Sequence, residues 1–193
     1  SNFLADSSSN LLTLIIIGFF LIIVFYLIFS YNNLIKNKNL VEEGWSSIDV
    51  QLKRRSNLIP NIVSAVKGYM THEKQLFEEI TELRAQSDSA NSVTDQGKDE
   101  SSLSNSLMNL FAVAENYPEL KANENFLDLQ KQLQDIENDI QMARRYYNGT
   151  VRNNNVLIES FPTNIIANSF NFKKSDFFEI ENPETRNVPN VEF

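Results

Sequence analysis

The pair His72-Glu73 opens an H-E-x-x-H pattern, the helical arrangement that holds zinc between two imidazoles beside a glutamate base. The fifth position is Leu76, so the second ligand is missing, and His72 is the only histidine of the 193 residues. One imidazole cannot supply the two Glu-x-x-His pairs of a di-iron bundle, and it makes a Ser-His-Asp relay a poor fit. The absence of cysteine removes thiolate nucleophiles, disulfides and Cys-ligated metals, and it leaves the redox compartment open. Glu78-Glu79 and Glu137 with Asp139 are paired carboxylates of the kind acid-base catalysis uses. Nothing around them in the sequence marks a dry pocket, so solvated helix faces are the plainer reading. No glycine-rich phosphate loop is present. The expectation is a protein that is not an enzyme, with no catalytic residue, no metal and no cofactor to assign.

The basic groups are the remaining chemistry. Lys53-Arg54-Arg55 forms one cluster, and Arg144-Arg145 followed by Tyr146-Tyr147-Asn148 forms another. Arginines interleaved with aromatics can stack on bases, but a formal charge of −8 and a pI near 4.7 argue against a nucleic-acid partner. Contact of the first cluster with anionic lipid needs the chain to fold back, since helix geometry holds it roughly 20 Å from the membrane exit, beyond a Debye length. Arg55 falls on the apolar seam of a helix, where an unpaired charge costs several kcal/mol, so it needs an acidic or carbonyl partner on a neighbouring helix. Glu73, Tyr147, Thr150 and Asn154 are the other polar seam positions. Two uses compete for Arg54, Arg55, Glu73, Arg144, Arg145, Tyr147 and Asn154: buried pairing that fixes helix register, or contacts to a polar ligand or partner.

The elements that must position these residues read as helices, favoured over many short strands by five glycines and five prolines in the whole chain. Leu11 to Ser30 runs for 20 residues without a charge. At 1.5 Å per residue it covers roughly 30 Å, the hydrocarbon thickness of a bilayer, and reads as a membrane-spanning helix. A signal peptide would show a basic n-region, a shorter apolar run and an A-x-A site, and SNFLADSSSN carries no Lys or Arg. Lys36 and Lys38 follow the run closely, which places the amino terminus outside and the bulk of the chain in the cytoplasm.

Beyond the membrane, Trp45, Ile48, Leu52, Arg55, Ile59, Ile62, Val66, Tyr69, Glu73, Leu76, Ile80 and Leu83 recur at steps of three and four. This is a helix packing lengthwise on partners, with a kink or break expected at Pro60. Gln86 to Ser102 is polar and turn-rich and reads as a loop. Leu103, Leu107, Leu110, Ala114 and Tyr117 form a shorter helix closed before Pro118, and Asn123 caps the next one near Glu124. That helix carries Phe126, Leu129, Leu133, Ile136, Ile140, Ala143, Tyr147, Thr150, Asn154 and Leu157 on its seam. Asp128, Lys131, Gln134, Asp135, Glu137, Asp139 and Arg145 read as its solvated face. Gly149 weakens it by about 1 kcal/mol, and Pro162 bounds it. Ile165 to Phe172 is a short apolar piece before an extended tail.

The segments WSSIDVQLKRRSNLIPNIVSAVKGYMTHE, ENYPELKANENFLDLQKQLQDIEN, ARRYYNGTVRNNN and SFPTNIIANSFNF together resemble, in order, the LemA family of bacterial membrane-anchored helical proteins. The resemblance runs from about Tyr31 to the VPNVEF terminus. It implies an N-terminal anchor, a short segment outside and an elongated antiparallel helical bundle. It implies no reaction. Some relatives are associated with magnetosome membranes, which suggests membrane-linked scaffolding. Gly149 departs from the acidic or other polar residue usual in the family at that position.

The expected fold is all-α: residues 1-10 exposed, a transmembrane helix over 11-30, a bundle of three long helices plus a short helical piece over 31-172, and a tail over 173-193. The tail alternates apolar residues in NVPNVEF, and Val188, Val191 and Phe193 are expected to dock in a bundle groove of the same or a neighbouring subunit. The expected function is a membrane-anchored scaffold or adaptor. Its expected partners are the lipid bilayer and either further copies of itself or other membrane proteins. A sensor-like module binding a small polar ligand between helices is one alternative, and a membrane-shaping protein is another.

Overall fold

The computed structural model describes residues 2-179, with side chains from residue 10 onward. It holds α1 (Asn2–Lys67), α2 (Lys74–Asp88), α3 (Val93–Ala114), α4 (Pro118–Lys121), α5 (Glu124–Glu159) and α6 (Thr163–Ser169), and no strand among the described residues. The fold is all-α. Val188, Val191 and Phe193 lie outside the described residues.

Three local outcomes differ from the sequence reading. Helix α1 passes through Pro60 without interruption, because losing one backbone donor is offset by the buried packing of Leu58, Ile59 and Ile62 around it. The break comes instead after Lys67, where the Tyr69 and Met70 amides both fold back on the Val66 carbonyl at 3.0 and 2.9 Å. Tyr69 is consequently turned outward and Met70 takes the buried place.

The second difference is Gln86 to Ser102, which is mostly helical. Helix α2 continues to Asp88, and α3 begins at Val93 behind the N-cap Ser92, whose hydroxyl accepts from the Asp95 amide at 3.1 Å and donates to its carboxylate at 2.7 Å. An N-cap of this kind satisfies an otherwise orphaned amide of the first turn and requires no apolar period. The missing period has a reason: the first turns of α3 bury Gly97, Glu100 and Ser101 rather than hydrocarbons. The third difference, at Glu137, concerns the site and is described below. Asn123 does cap α5, accepting from the Phe126 amide at 3.0 Å.

The chain divides into two compact units, the first of Ser1–Glu42 with Thr150–Ser175 and the second of Glu43–Gly149 with Asp176–Phe193. In the first, Leu34 packs with Ile158, Ile166 and Ala167, and Tyr31 meets the rings of Phe170 and Phe172 edge-on at 4.8 and 5.8 Å. Asn171, at φ 59°, turns the chain out of α6; asparagine tolerates this left-handed conformation better than most residues. Asn155 then holds Ser175 by both backbone groups, its amide donating to the carbonyl at 3.0 Å and its oxygen accepting from the N–H at 2.9 Å.

In α1, the side chains from Leu11 to Phe29 are exposed except for Gly18 and Val24, which are half-buried. Phe25 and Phe29 are 70% and 71% accessible. This is the one helix among the described residues long and apolar enough to cross a membrane. A core helix of a water-soluble domain would hide such a stretch.

The second unit is a helical bundle. Ile48, Leu52, Ile59 and Ile62 of α1, Ile80 of α2, Leu103, Leu107 and Leu110 of α3, and Leu133, Ile136 and Ile140 of α5 form its buried interior.

Candidate functional site

At the level of Arg55 the apolar interior of the second unit gives way to charge. The Arg55 side chain has no solvent exposure, yet it carries a guanidinium. It forms an ion pair with Glu100 of α3, 2% exposed, and a second with Glu137 of α5 at 2.7 Å. Its Nη1 also donates to Ser104, and its Nη2 to the Glu100 carbonyl at 3.3 Å. Ser87 of α2 donates to the Glu100 carboxylate. One cluster thus takes residues from α1, α2, α3 and α5. Glu137, expected on a solvated face, turns inward because the buried guanidinium offers more than water can at that position. Arg55 Nε has no hydrogen-bond partner among the described residues.

A looser rim surrounds the cluster. Ser56 accepts from Arg84 Nε at 3.0 Å and donates to Asp88 at 3.0 Å, Ser106 donates to Glu79 at 2.8 Å, and Arg54 reaches Asp139 at 3.3 Å and Gln51 at 2.7 Å. Arg54 and Asp139 are both well exposed, so that pair contributes little.

The other singled-out residues do not gather around Arg55. Glu73 sits in the link between α1 and α2 and accepts from the Tyr117 hydroxyl at 3.4 Å. Burial, and then the Glu73 charge, push the Tyr117 phenol above its ordinary pKa. Asn154 is buried in the first unit, and its side-chain oxygen has no partner among the described residues. Arg145 is exposed. Arg144 donates to Gln141 at 2.7 Å and lines a groove of about 830 Å³ between α3 and α5.

Tyr147 belongs to a second constellation, which holds the segment after α6. Its hydroxyl donates to the Asp176 carbonyl at 2.8 Å. Burial, and then the Asp176 charge, raise its pKa. Phe178, fully buried, meets Trp45 at 5.8 Å, and Trp45 meets Tyr147 at 5.5 Å, all edge-on. Asn148 grips the Phe178 backbone on both sides, donating to its carbonyl at 3.0 Å and accepting from its N–H at 2.9 Å. A Cβ at Gly97 would run into the Glu179 carbonyl, so the chain crosses α3 where there is no side chain. Asn148, Gly97 and Phe178 went unrecognised as site residues in the sequence. The recurrence of asparagine at 148 and 155, two helical turns apart, was the available signal.

These constellations pair side chains and hold backbone within an all-helical chain that carries, among the described residues, one helix fit to cross a membrane. The family is shown by its sequence model, which matches residues 44–193: the chain belongs to the LemA family. It is 25% identical over 172 residues to Protein LemA of Metamycoplasma hominis, covering 88% of this chain and 78% of that protein. It is also 23% identical over 179 residues to Magnetosome protein MamQ 2 of Paramagnetospirillum magneticum, covering 79% of this chain and 66% of the relative. Magnetosome protein MamQ of Magnetospirillum gryphiswaldense is 22% identical over 178 residues, with 79% and 65% covered. The chain therefore spans just under two thirds of the length of these magnetosome relatives.

Proposed function

We propose that the protein is a non-enzymatic scaffold, held in a bilayer by Leu11 to Ser30 and presenting its bundle to other membrane proteins or to further copies of itself. One observation carries the reading: a single helix, α1, exposes apolar side chains along Leu11–Phe29 and also supplies Arg55 to a bundle core whose charges pair with one another. Charges used in this way are occupied in pairing with one another, which suits the holding of helices in register. That two relatives are named magnetosome proteins supports a membrane setting. Lys36 and Lys38, just past the span, favour a cytoplasmic bundle.

The test is purification of the full chain in mild detergent, with mass measurement of the intact particle and cross-linking in membranes. The scaffold reading expects a defined assembly of several copies or a stoichiometric membrane partner. A chain that is strictly monomeric and partnerless in membranes would overturn it. The sensor-like reading draws on the groove between α3 and α5, and it expects a melting temperature that rises with a specific small polar compound.

A further inference from the structure

The groove between α3 and α5 is lined by the apolar side chains of Leu107, Met108, Phe111 and Leu133 together with amides. Two of these amides, Gln141 and Gln134, stand seven and fourteen residues before Asn148 on α5. A heptad step keeps residues on nearly one helix face. Asn148 already shows what an amide on this face does: it pairs with both backbone groups of an extended residue, Phe178. The described chain runs toward the groove. Asp176 is held at Tyr147, Phe178 at Asn148, and the Glu179 backbone lies over Gly97 of α3. One turn further along each helix, at Ser101 on α3 and Arg144 on α5, the groove begins.

We propose that this groove binds an extended polypeptide backbone and that its occupant is the chain's own residues 180-193. Helix α5 from Gln130 to Arg144 rises about 21 Å, enough for roughly six or seven extended residues. Fourteen residues follow Glu179. Their composition fits: Val191 and Phe193, two residues apart, share one face of an extended chain and would meet the apolar lining between backbone-pairing amides. Glu181, Glu184 and Glu192 outnumber Arg186 in a segment that would pass Arg144.

The chain has no cysteine, so a single thiol can report on the groove. Met108, 70% accessible in the described structure, is the position to label. In the full-length protein in detergent, Met108→Cys is expected to react with a bulky maleimide at least tenfold more slowly than the same protein carrying Ile180→Asp, Val188→Asp, Val191→Asp and Phe193→Asp. Equal rates would overturn the proposal. Gln134→Ala with Gln141→Ala is expected to speed labelling without changing far-ultraviolet circular dichroism, and an unchanged rate would overturn the amide assignment. A disulfide between Met108→Cys and Val191→Cys at monomer mass supports the assignment of the occupant. The same bond found only at dimer mass would overturn it in favour of a second copy.

Discussion

Two stretches of α1 invert each other. From Leu11 to Phe29 hydrocarbon faces outward, while around Arg55 a full charge faces inward. Neither choice is stable by itself in water. Exposed apolar area costs roughly 25 cal/mol per Å², and an unpaired buried ion costs several kcal/mol. The first stretch is stable where the surroundings are as apolar as its side chains, and the second where other helices supply compensating charge. The same helical backbone thus serves two solvents, and the side chains record which is which. The strongest way to break the comparison is Arg55→Ala. It leaves Glu100 buried without its partner and is expected to cost about 3 to 5 kcal/mol, read from denaturant unfolding of the detergent-solubilised protein. Replacing the set together, with Arg55→Met, Glu100→Met and Glu137→Gln, is expected to recover most of that loss. If the triple variant were as unstable as the single one, the cluster's geometry rather than its charge balance would be deciding stability.

Phe178 tests whether a neighbouring part of the bundle depends on ordinary apolar burial. Phe178→Ala empties a site against Trp45 and Tyr147, and the expected cost is about 3 kcal/mol, at the low end for a buried phenylalanine because the segment can detach. Trp45 is the only tryptophan, so its emission should shift to the red as water reaches it. An unchanged spectrum would place Phe178 away from the indole in solution.

Much of this is legible in the amino-acid sequence. The all-α fold, the apolar span, the Asn123 cap and the buried seam of α5 follow from periodicity and composition, because each depends on local spacing. The demand Arg55 makes for a counter-charge was also readable from its place on an apolar seam. Its partners were not. Glu100 lies in a stretch whose helical turns bury glycine, serine and carboxylate, so no apolar rhythm marked it. Glu137 sits one step off the α5 seam and looked solvated, since only the buried guanidinium gives it a reason to turn in. A kink or break is expected at Pro60 because a proline's cost is local and visible, while the packing that carries α1 through it to Lys67 is not. Asn148 was missed for a different reason: its partner is backbone, so only the asparagine's own recurrence at 148 and 155 marked it.

The contrast along α1 can be sharpened with one substitution made twice. Ile22→Arg puts a charge near the middle of the apolar stretch, where insertion scales give a cost of about 2.5 to 3.5 kcal/mol. The expected result is a marked fall in the fraction of protein recovered with membranes. Val50→Arg makes a comparable change at a position of α1 that is 55% exposed, and it is expected to stay within about 0.5 kcal/mol of the parent. Equal responses at the two positions would mean that residues 11-29 meet the same water as Val50.

The smallest effect is expected at Tyr147, where pH can separate packing from protonation. Burial and then the Asp176 charge raise its pKa, so the folded state favours the neutral phenol over the phenolate. A group raised on folding contributes stability that is fully present below its unfolded pKa, near 10, and lost as pH climbs through the folded value. Stability should therefore hold through neutrality and fall in the alkaline range above about pH 10. Tyr147→Phe keeps the ring against Trp45 but gives up the hydrogen bond to Asp176, which should cost about 1 kcal/mol near pH 7. The gap between parent and variant should narrow as pH rises past 10, since the variant has no phenol to ionise. Parallel melting curves of the two proteins from pH 8 to 11 would measure it. A gap that stayed constant would mean that the hydroxyl ionises as freely in the fold as in water.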